Sequence, residues 1–257
     1  MNAIDLYAGR ARGLAVKAAT HSGALLHFVS AGMGLVRHDS KLPAYSLTVN
    51  PDSDDCILQR SRPDDRFSAS QWWRAIRNRR PSSSFRALLR RHAFALVVIG
   101  VSGPYLEMIA ADLADLPQSM RDRVRIVGAR GRQRLPEVLR PLLMPYDARL
   151  DDPRLGMRGT AFDYPQRALA HFVRLVRADR KIDSAESHAR RVRLALARFT
   201  SPPVTSRKRA SNGELQALVR GLQQRTSSRA QGLRLLRHEL GYACEEGRFT
   251  RTWASSQ

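Results

Sequence analysis

The stretch "FALVVIGVSGPYLEMIAADLADL", residues 94–116, decides the fold class. Its first eight residues form an apolar run rich in β-branched side chains, which is typical of a strand covered on both faces. Pro104 then lies near the first turn of a predicted helix. The runs "ALLHFVSA" (24–31) and "RVRIVGA" (123–129) also predict strands, and helical stretches separate the three. This alternation predicts an α/β fold with a mostly parallel sheet in three layers.

From about Met157 the pattern changes to helices alone. Two amphipathic stretches come first, "DYPQRALAHFVRLVRADR" and "DSAESHARRVRLALARF". Two closely spaced helices follow, "SNGELQALVRGLQQ" and "TSSRAQGLRLLRHEL", and "GYACEEGRFTRTW" then alternates like a small hairpin. This order is typical of a helix-turn-helix with a wing. We therefore expect an α/β domain over 1–156 and a smaller all-helical, winged-helix-like domain over 157–257.

Several helix ends can be recognised from capping residues, which satisfy the backbone N–H and C=O groups that lack a partner at the ends of a helix. In one such cap, Phe67 precedes Ser68 and can pack onto Trp72. The predicted caps are Gly23 after the helix from Ile4 to Ala19, Ser68 with Gln71, Asp183 with Glu186, and Ser211 with Glu214.

The chain is strongly basic, with 44 Lys and Arg against 23 Asp and Glu and a formal net charge of +21. Most of the cations are arginines, whose planar guanidinium groups bind phosphate oxygens through two donors at once. A GC-rich genome would also enrich arginine. Nucleic acid is nevertheless the partner that this charge favours.

No apolar run approaches the ~18 residues that span a bilayer, and the N-terminal "MNAIDLYAGR" lacks the order of a signal peptide. We therefore expect a cytoplasmic protein without a membrane partner. Cys56 and Cys244 lie far apart and fit neither a disulfide framework nor a zinc site. We expect no metal and no cofactor.

Two loops leave predicted strand ends, where ligands collect in open parallel sheets. The loop after the first strand contains Gly32, Gly34, Pro43 and Tyr45. Glycines let backbone amides approach a ligand, and a tyrosine ring can stack on a base. A glycine-rich turn with Tyr45 in the core is the alternative. The second loop contains Ser102 and Tyr105, and Tyr105 could equally pack beneath its helix.

The segments "VSAGMGLV" and "PAY", with Asp39 between them, are similar to a pattern in the bacterial peroxide-stress DNA-binding proteins. A related pattern occurs in the base-exchange partner domain of archaeosine synthesis. The stretches "DLYAGR", "SGPYLEMIAADL" and "MPYDARL" also resemble uncharacterised bacterial proteins that share it. The resemblance covers roughly residues 5 to 150. It implies an α/β core akin to the uracil-DNA glycosylase superfamily, associated with modified bases in DNA or RNA.

A base-excising enzyme holds an everted nucleotide and stabilises a cationic sugar while water attacks. Asp39 is the first candidate for this catalytic role, with Asn50 and Asp52 in reserve, although "NPDSDD" also suits turn and capping chemistry. By position, the resemblance assigns Ser30, Gly32, Gly34, Asp39, Pro43 and Tyr45 to the site. The full predicted base pocket is Ser30, Gly32, Met33, Gly34, Tyr45, Ser102 and Tyr105.

Three basic clusters are candidate nucleic-acid contacts. Each cluster also has an alternative explanation: a solvated charge run for the first, a linker for the second and a three-helix protein-binding module for the third. The candidate residues are Arg130, Arg132 and Arg134 in "ARGRQR"; Arg207, Lys208 and Arg209 in "SRKR"; and Ser228, Arg229 and Arg234 in the predicted recognition helix.

Taken together, these features predict a monomeric DNA N-glycosylase that everts and hydrolyses a modified base from duplex DNA, leaving an abasic site. A role in defence against phage with modified DNA fits such an activity. A non-enzymatic DNA- or RNA-binding protein and a tRNA base-modification factor are the alternatives.

Overall fold

A computed structural model describes residues 1–51, 53–60, 66–128, 135–177, 179, 182–203 and 207–256. Asp52, Arg130, Arg132 and Arg134 of the predicted site therefore lie outside the described residues. The chain divides into two compact units, Met1–Pro202 and Pro203–Gln257. The boundary predicted after residue 156 falls inside the first unit, so the two helices that follow it belong with the α/β part and not with the C-terminal part.

The first unit opens with helices α1 (Ala3–Leu6) and α2 (Arg10–Ser22). A single helix was predicted here, but Gly9 adopts a φ of 93° and separates the two. Gly23 ends α2 in the left-handed conformation, with a φ of 66°, which confirms the predicted C-cap.

The strand predicted within 24–31 is β1 (His27–Ser30), and it pairs antiparallel with β2 (Gly34–Arg37). Sequence analysis predicted that residues 32–45 form a loop after β1. The first part of this prediction is wrong, because the chain turns at once into the β1–β2 hairpin. Leu35 and Val36 of β2 are buried, which explains why this short apolar run folds back. Gly34 has a φ of +77°, a conformation that favours glycine, and it completes the turn.

The apolar run in 94–101 forms β3 (Val97–Gly100), which pairs in parallel with β4 (Val124–Val127). Helices α5 (Gly103–Ala114) and α6 (Gln118–Arg121) make the crossover between them. The Met144 N–H donates to the Ile126 carbonyl at 2.8 Å, so a further extended segment borders β4. The described residues mix helices with small two-stranded sheets, which is compatible with the predicted α/β class, and the β3–β4 pair is parallel whereas β1–β2 is antiparallel.

Helix α3 (Ala69–Arg79) begins at the predicted capping box of Ser68 and Gln71, and α4 (Phe85–Arg91) follows. The rings of Phe67 and Trp72 stack with centroids 5.4 Å apart, as predicted. Trp73 is buried and donates from its indole to Asp112 of α5 at 3.2 Å. This bond fixes α3 against the crossover helix.

Helices α7 (Tyr164–Val176) and α8 (Ala185–Leu196) complete the first unit. The first turn of α7 packs on the carboxyl ends of both parallel strands. A Cβ on Gly128 would lie 2.3 Å from Pro165 Cα, and one on Gly100 would lie 3.0 Å from the Pro165 carbonyl. The cap of α8 is Ser184, one residue later than predicted, and its hydroxyl accepts from the Ser187 N–H at 3.0 Å.

The second unit contains α9 (Asn212–Arg225), α10 (Arg229–His238) and α11 (Glu246–Ser255), with β5 (Lys208–Arg209) beside β6 (Tyr242–Ala243). The predicted wing hairpin is wrong, because its sequence forms α11. Phe249 and Trp253 lie one helical turn apart and are both buried, and a Cβ on Gly232 would meet the Trp253 ring at 2.4 Å. The described part of this unit is therefore a three-helix arrangement.

Within the described ranges, no helix is both long and apolar enough to cross a membrane. The two cysteines are free thiols; Cys56 is buried and Cys244 is partly buried.

Candidate base site and nucleic-acid interface

A network of hydroxyl groups surrounds the turn of the β1–β2 hairpin. The Ser30 side chain at the end of β1 is 1% exposed, and its hydroxyl is hydrogen-bonded to that of Tyr45. The Tyr45 hydroxyl in turn lies 2.5 Å from that of Tyr7. Ser30 Oγ also accepts the N–H groups of Gly32 at 3.2 Å and Met33 at 2.9 Å. Ser30 thus joins the hairpin turn to two phenols.

Glycine at position 32 is required by the Tyr45 ring. A Cβ there would lie 2.9 Å from Tyr45 Cε2, closer than real side-chain contacts. The glycine that sequence analysis assigned to ligand approach therefore admits a tyrosine of the same chain. Tyr45 remains half-buried, so the ring keeps an exposed portion.

A second pair of hydroxyls adjoins this network. Tyr105 lies in the first turn of α5, directly after the carboxyl end of β3, and its hydroxyl is 3.3 Å from Thr48 Oγ1. The Asn50 N–H donates to the same Thr48 oxygen at 3.1 Å. We call Tyr7, Ser30, Tyr45, Thr48 and Tyr105 the hydroxyl cluster.

Tyr7 and Tyr105 are protonated near pH 7. Burial raises the pKa of Tyr7 and of Tyr105, and the neighbouring Tyr45 raises both further. A protonated phenol can both donate and accept a hydrogen bond, which suits contact with the polar edge of a base. Among the described residues, no carboxylate or histidine hydrogen-bonds Ser30, so this serine lacks the partners of an activated nucleophile.

Two predicted pocket residues have structural roles. Met33 packs with Ala3, Val36 and Leu42 in a small apolar cluster. Gly34 forms the hairpin turn, where a Cβ would lie 3.2 Å from the Ile76 side chain. Ser102, by contrast, precedes α5 with an exposed side chain at the carboxyl end of β3.

Asp39 lies at the opposite end of the hairpin from the hydroxyl cluster. Strand register pairs Ser30 with Gly34 at the turn and His27 with Arg37 at the open end, about 10 Å away at roughly 3.4 Å per residue. Asp39 is exposed and bound by both arms of Arg37, with Nε 2.5 Å from Oδ1. These bonds lower the pKa of the Asp39 carboxyl. The structure therefore does not bring Asp39 to Tyr45.

The reserve residue Asn50 adjoins the hydroxyl cluster through its main-chain N–H, which donates to Thr48 Oγ1. Asp52, the other reserve, lies outside the described residues. Sequence analysis did not assign Tyr7 to the site, although this residue lies in the quoted stretch "DLYAGR".

An exposed aromatic side chain at the same edge of the parallel pair was also missed. Phe162 is 77% exposed and lies two residues before α7, whose first turn covers the ends of β3 and β4. Its loop is held by the buried Arg167, which donates to the carbonyls of Met157 at 3.0 Å and Thr160 at 2.9 Å and to Asp163 at 2.9 Å. A rigid loop thus presents an apolar ring to solvent.

Exposed cations flank this loop. Arg158 precedes Phe162 and is exposed. Arg10 donates to the Arg158 carbonyl at 2.7 Å and pairs with Asp163 at 3.1 Å. A basic rim around an exposed ring is typical of a nucleic-acid contact.

In the second unit, the predicted contact residues lie mostly on the surface. Ser228 caps α10, where its hydroxyl accepts from the Gln231 N–H, and Arg229 and Arg234 are exposed on that helix. Lys208 and Arg209 are exposed in β5. Arg207 instead donates to the Arg237 carbonyl at 2.9 Å. Five of these six side chains are thus exposed.

No protein-family model, curated protein or solved structure matches this chain.

Proposed function

We propose that this chain is a DNA N-glycosylase, acting as a monomer on cytoplasmic DNA, that everts a modified base and hydrolyses its glycosidic bond. The observation that carries the proposal is the hydroxyl cluster, which includes Tyr105 beside the carboxyl end of β3, on a chain of net charge +21. Ligands collect at such edges, and the charge favours a polyanionic substrate. A three-layer domain of the uracil-DNA glycosylase kind is part of the proposal.

The hydroxyl cluster would recognise the everted base. Tyr7, Tyr45 and Tyr105 are half-buried, so each presents part of its ring while its hydroxyl stays in the network. Neutral phenols match the donors and acceptors along the edge of a base without requiring a charged substrate. Ser30, which is buried, positions Tyr45 and does not touch the base.

Hydrolysis by water fits this site better than a covalent route, since Ser30 lacks an activating base. Water attacks the anomeric carbon, the carbon–nitrogen bond breaks and its electron pair leaves with the base. We assign Asn50 to orient this water and Asp52, two residues further along the sequence, to accept its proton and stabilise the cationic sugar. Asp39 is the alternative carboxylate.

Phe162 would fill the space that the everted base leaves in the duplex. Apolar side chains that insert between base steps compensate for lost stacking. The exposed arginines of α10 would hold the duplex through phosphate contacts.

A non-enzymatic nucleic-acid binder is the second candidate. It is favoured by one observation: among the described residues, no carboxylate hydrogen-bonds the hydroxyl cluster, and Asp39 is paired with Arg37 instead. Such a protein would read a base through Tyr7, Tyr45 and Tyr105 without releasing it.

Incubation with duplexes carrying different modified bases, followed by alkali, separates these functions. The panel includes hydroxymethylated and glucosylated cytosines. Strand cleavage at one modification, lost in Tyr45→Phe, is the expected result. Tight binding with no cleavage on any duplex would support the binder, and preferential retention of tRNA over duplex DNA would support a tRNA modification factor.

A further inference from the structure

The open end of the β1–β2 hairpin borders a cavity of about 470 Å³ that the hydroxyl cluster does not share. We call it the basic cavity. Its volume falls within the range of about 300–1,000 Å³ typical of ligand sites. Its polar wall consists of His27, Arg37, Asp39, Ser40, Lys41, Arg80, Ser82, Ser83 and Arg91.

Three separate elements supply the cations of this wall. Arg37 ends β2, Arg80 caps the end of α3 and Arg91 ends α4. Lys41 adds a fourth cation from the segment after β2. These groups are far apart in sequence, so the tertiary fold concentrates positive charge at this place.

Asp39 is the only carboxylate among the described lining residues, and it already has a partner. Asp39 forms a two-point pair with Arg37, which cancels one positive charge. Lys41, Arg80 and Arg91 have exposed side chains, and none of them pairs with a carboxylate anywhere in the described part of the chain. Three unbalanced cations therefore face one cavity.

The remaining polar groups of the cavity suit an anion as well. The hydroxyls of Ser82 and Ser83 can donate to an oxygen. Burial lowers the pKa of His27, and the positive neighbours His92, Arg37 and His38 lower it further, so its ring is neutral near pH 7. The cavity thus combines cations with neutral donors.

A phosphate group matches this lining. It carries up to two negative charges and several acceptor oxygens, and guanidinium groups bind it through paired donors. A single carboxylate would balance only one of the three cations. The polar wall also disfavours an apolar ligand.

We propose that the basic cavity is a phosphate-binding site, separate from the hydroxyl cluster and built by Lys41, Arg80 and Arg91. The phosphate belongs either to a DNA strand or to a free nucleotide. The first source rests on the proposed function. The three residues from Ser30 back to His27 separate the two sites by about 10 Å along β1.

The test compares Lys41→Ala/Arg80→Ala/Arg91→Ala with the wild type and with Arg190→Ala/Arg193→Ala. The control removes two exposed arginines of α8 that have no ion pair in the described part of the chain. Duplex affinity is measured by fluorescence anisotropy between 50 and 200 mM salt. Thermal stability is measured with inorganic phosphate or a deoxynucleotide against sodium chloride at equal ionic strength. Circular dichroism verifies that all proteins are folded.

For a strand phosphate, the salt dependence of log K becomes shallower by about 0.9 in the triple variant and by less in the control. For a free nucleotide, phosphate and the nucleotide stabilise the wild type but not the triple variant, whereas duplex binding is unchanged. If neither difference appears, the site is overturned. Base release is scored separately at low salt: its absence in the wild type overturns the glycosylase proposal and leaves the phosphate site standing.

Discussion

The phenolic oxygens of Tyr7 and Tyr45 lie 2.5 Å apart, although 38 residues separate them in sequence. Tyr7 follows the first short helix, and Tyr45 comes from the segment after the hairpin. Ser30 completes the arrangement from the end of β1. The central feature of the candidate site is therefore a contact among three segments, and its consequences can be measured.

Tyr45→Phe should lower base release about 100-fold, because the everted base loses a hydrogen-bonding group that acts in the transition state. It should also destabilise the fold by about 1–2 kcal/mol, because the buried Ser30 loses a partner. Single-turnover kinetics and urea unfolding measure the two effects. Tyr242→Phe, which removes a hydroxyl bonded to Glu214 at 3.0 Å, is the control. Wild-type base release by Tyr45→Phe would leave the cluster with a structural role alone.

Asn50→Ala should reduce base release by about 100-fold, as expected when a group that orients water is lost. Asp39→Ala should leave base release nearly intact and should raise duplex affinity several-fold, because it frees Arg37 at the basic cavity. Both quantities are measured on the same duplex. The reverse ranking of the two variants would restore Asp39 as the catalytic group that the sequence first indicated.

Phe162→Ala should slow base eversion and release about 10-fold while leaving stability within about 0.5 kcal/mol, since the ring is 77% exposed. Phe94→Ala is a matched control. That ring is 95% exposed and precedes β3, at the opposite edge of the parallel pair. Fluorescence of 2-aminopurine next to the target base reports eversion. Equal effects of the two variants would argue against insertion by Phe162.

Arg229→Ala and Arg234→Ala should each weaken duplex binding on all sequences alike and reduce the salt slope by about 0.9 if each neutralises one phosphate. Arg220→Ala, which removes an exposed arginine from α9, should change the slope less. Anisotropy titrations at several salt concentrations provide the comparison. Unchanged slopes in both α10 variants would exclude that helix from phosphate contact.

Protonation of the buried His171 should lower the free energy of unfolding in mild acid relative to pH 7. Burial, and to a lesser extent the nearby Arg174, lowers its pKa from 6.5 to about 4. The unfolded chain then binds a proton below about pH 6.5 that the folded chain takes up only near pH 4. Stability is therefore full at pH 7 and falls by about 2 kcal/mol by pH 5. Urea unfolding of the wild type and His171→Gln at both pH values measures this; an equal pH dependence in the two would contradict the assignment.

Much of the fold follows from local patterns. The apolar runs predicted β1, β3 and β4, and the capping boxes at Ser68 and Ser211 predicted the starts of α3 and α9. These signals are reliable because each cap or strand depends on neighbouring residues. The wing failed for the opposite reason, since Phe249 and Trp253 are buried only because other helices cover them.

The candidate site was less accessible to such reasoning. Ser30, Tyr45 and Tyr105 were identified and do converge, but the pattern could not show that β2 would carry Asp39 away from them. Tyr7 lies in the quoted stretch "DLYAGR" but was not assigned to the site, and Phe162 carried no recognisable signal. The position of Tyr7 depends on a hydrogen-bond partner 38 residues away, and the exposure of Phe162 depends on a loop that the buried Arg167 holds in place.

The sequence by itself determined the strong positive charge, the alternation of strands and helices, and most helix ends, because these depend on composition and on residues a few positions apart. Only the tertiary structure decided which hydroxyls meet, which carboxylate is left outside and where the cations of β2, α3 and α4 converge. Those outcomes depend on how distant segments pack. Packing is set by the shapes of buried side chains across the whole unit, which no local pattern contains.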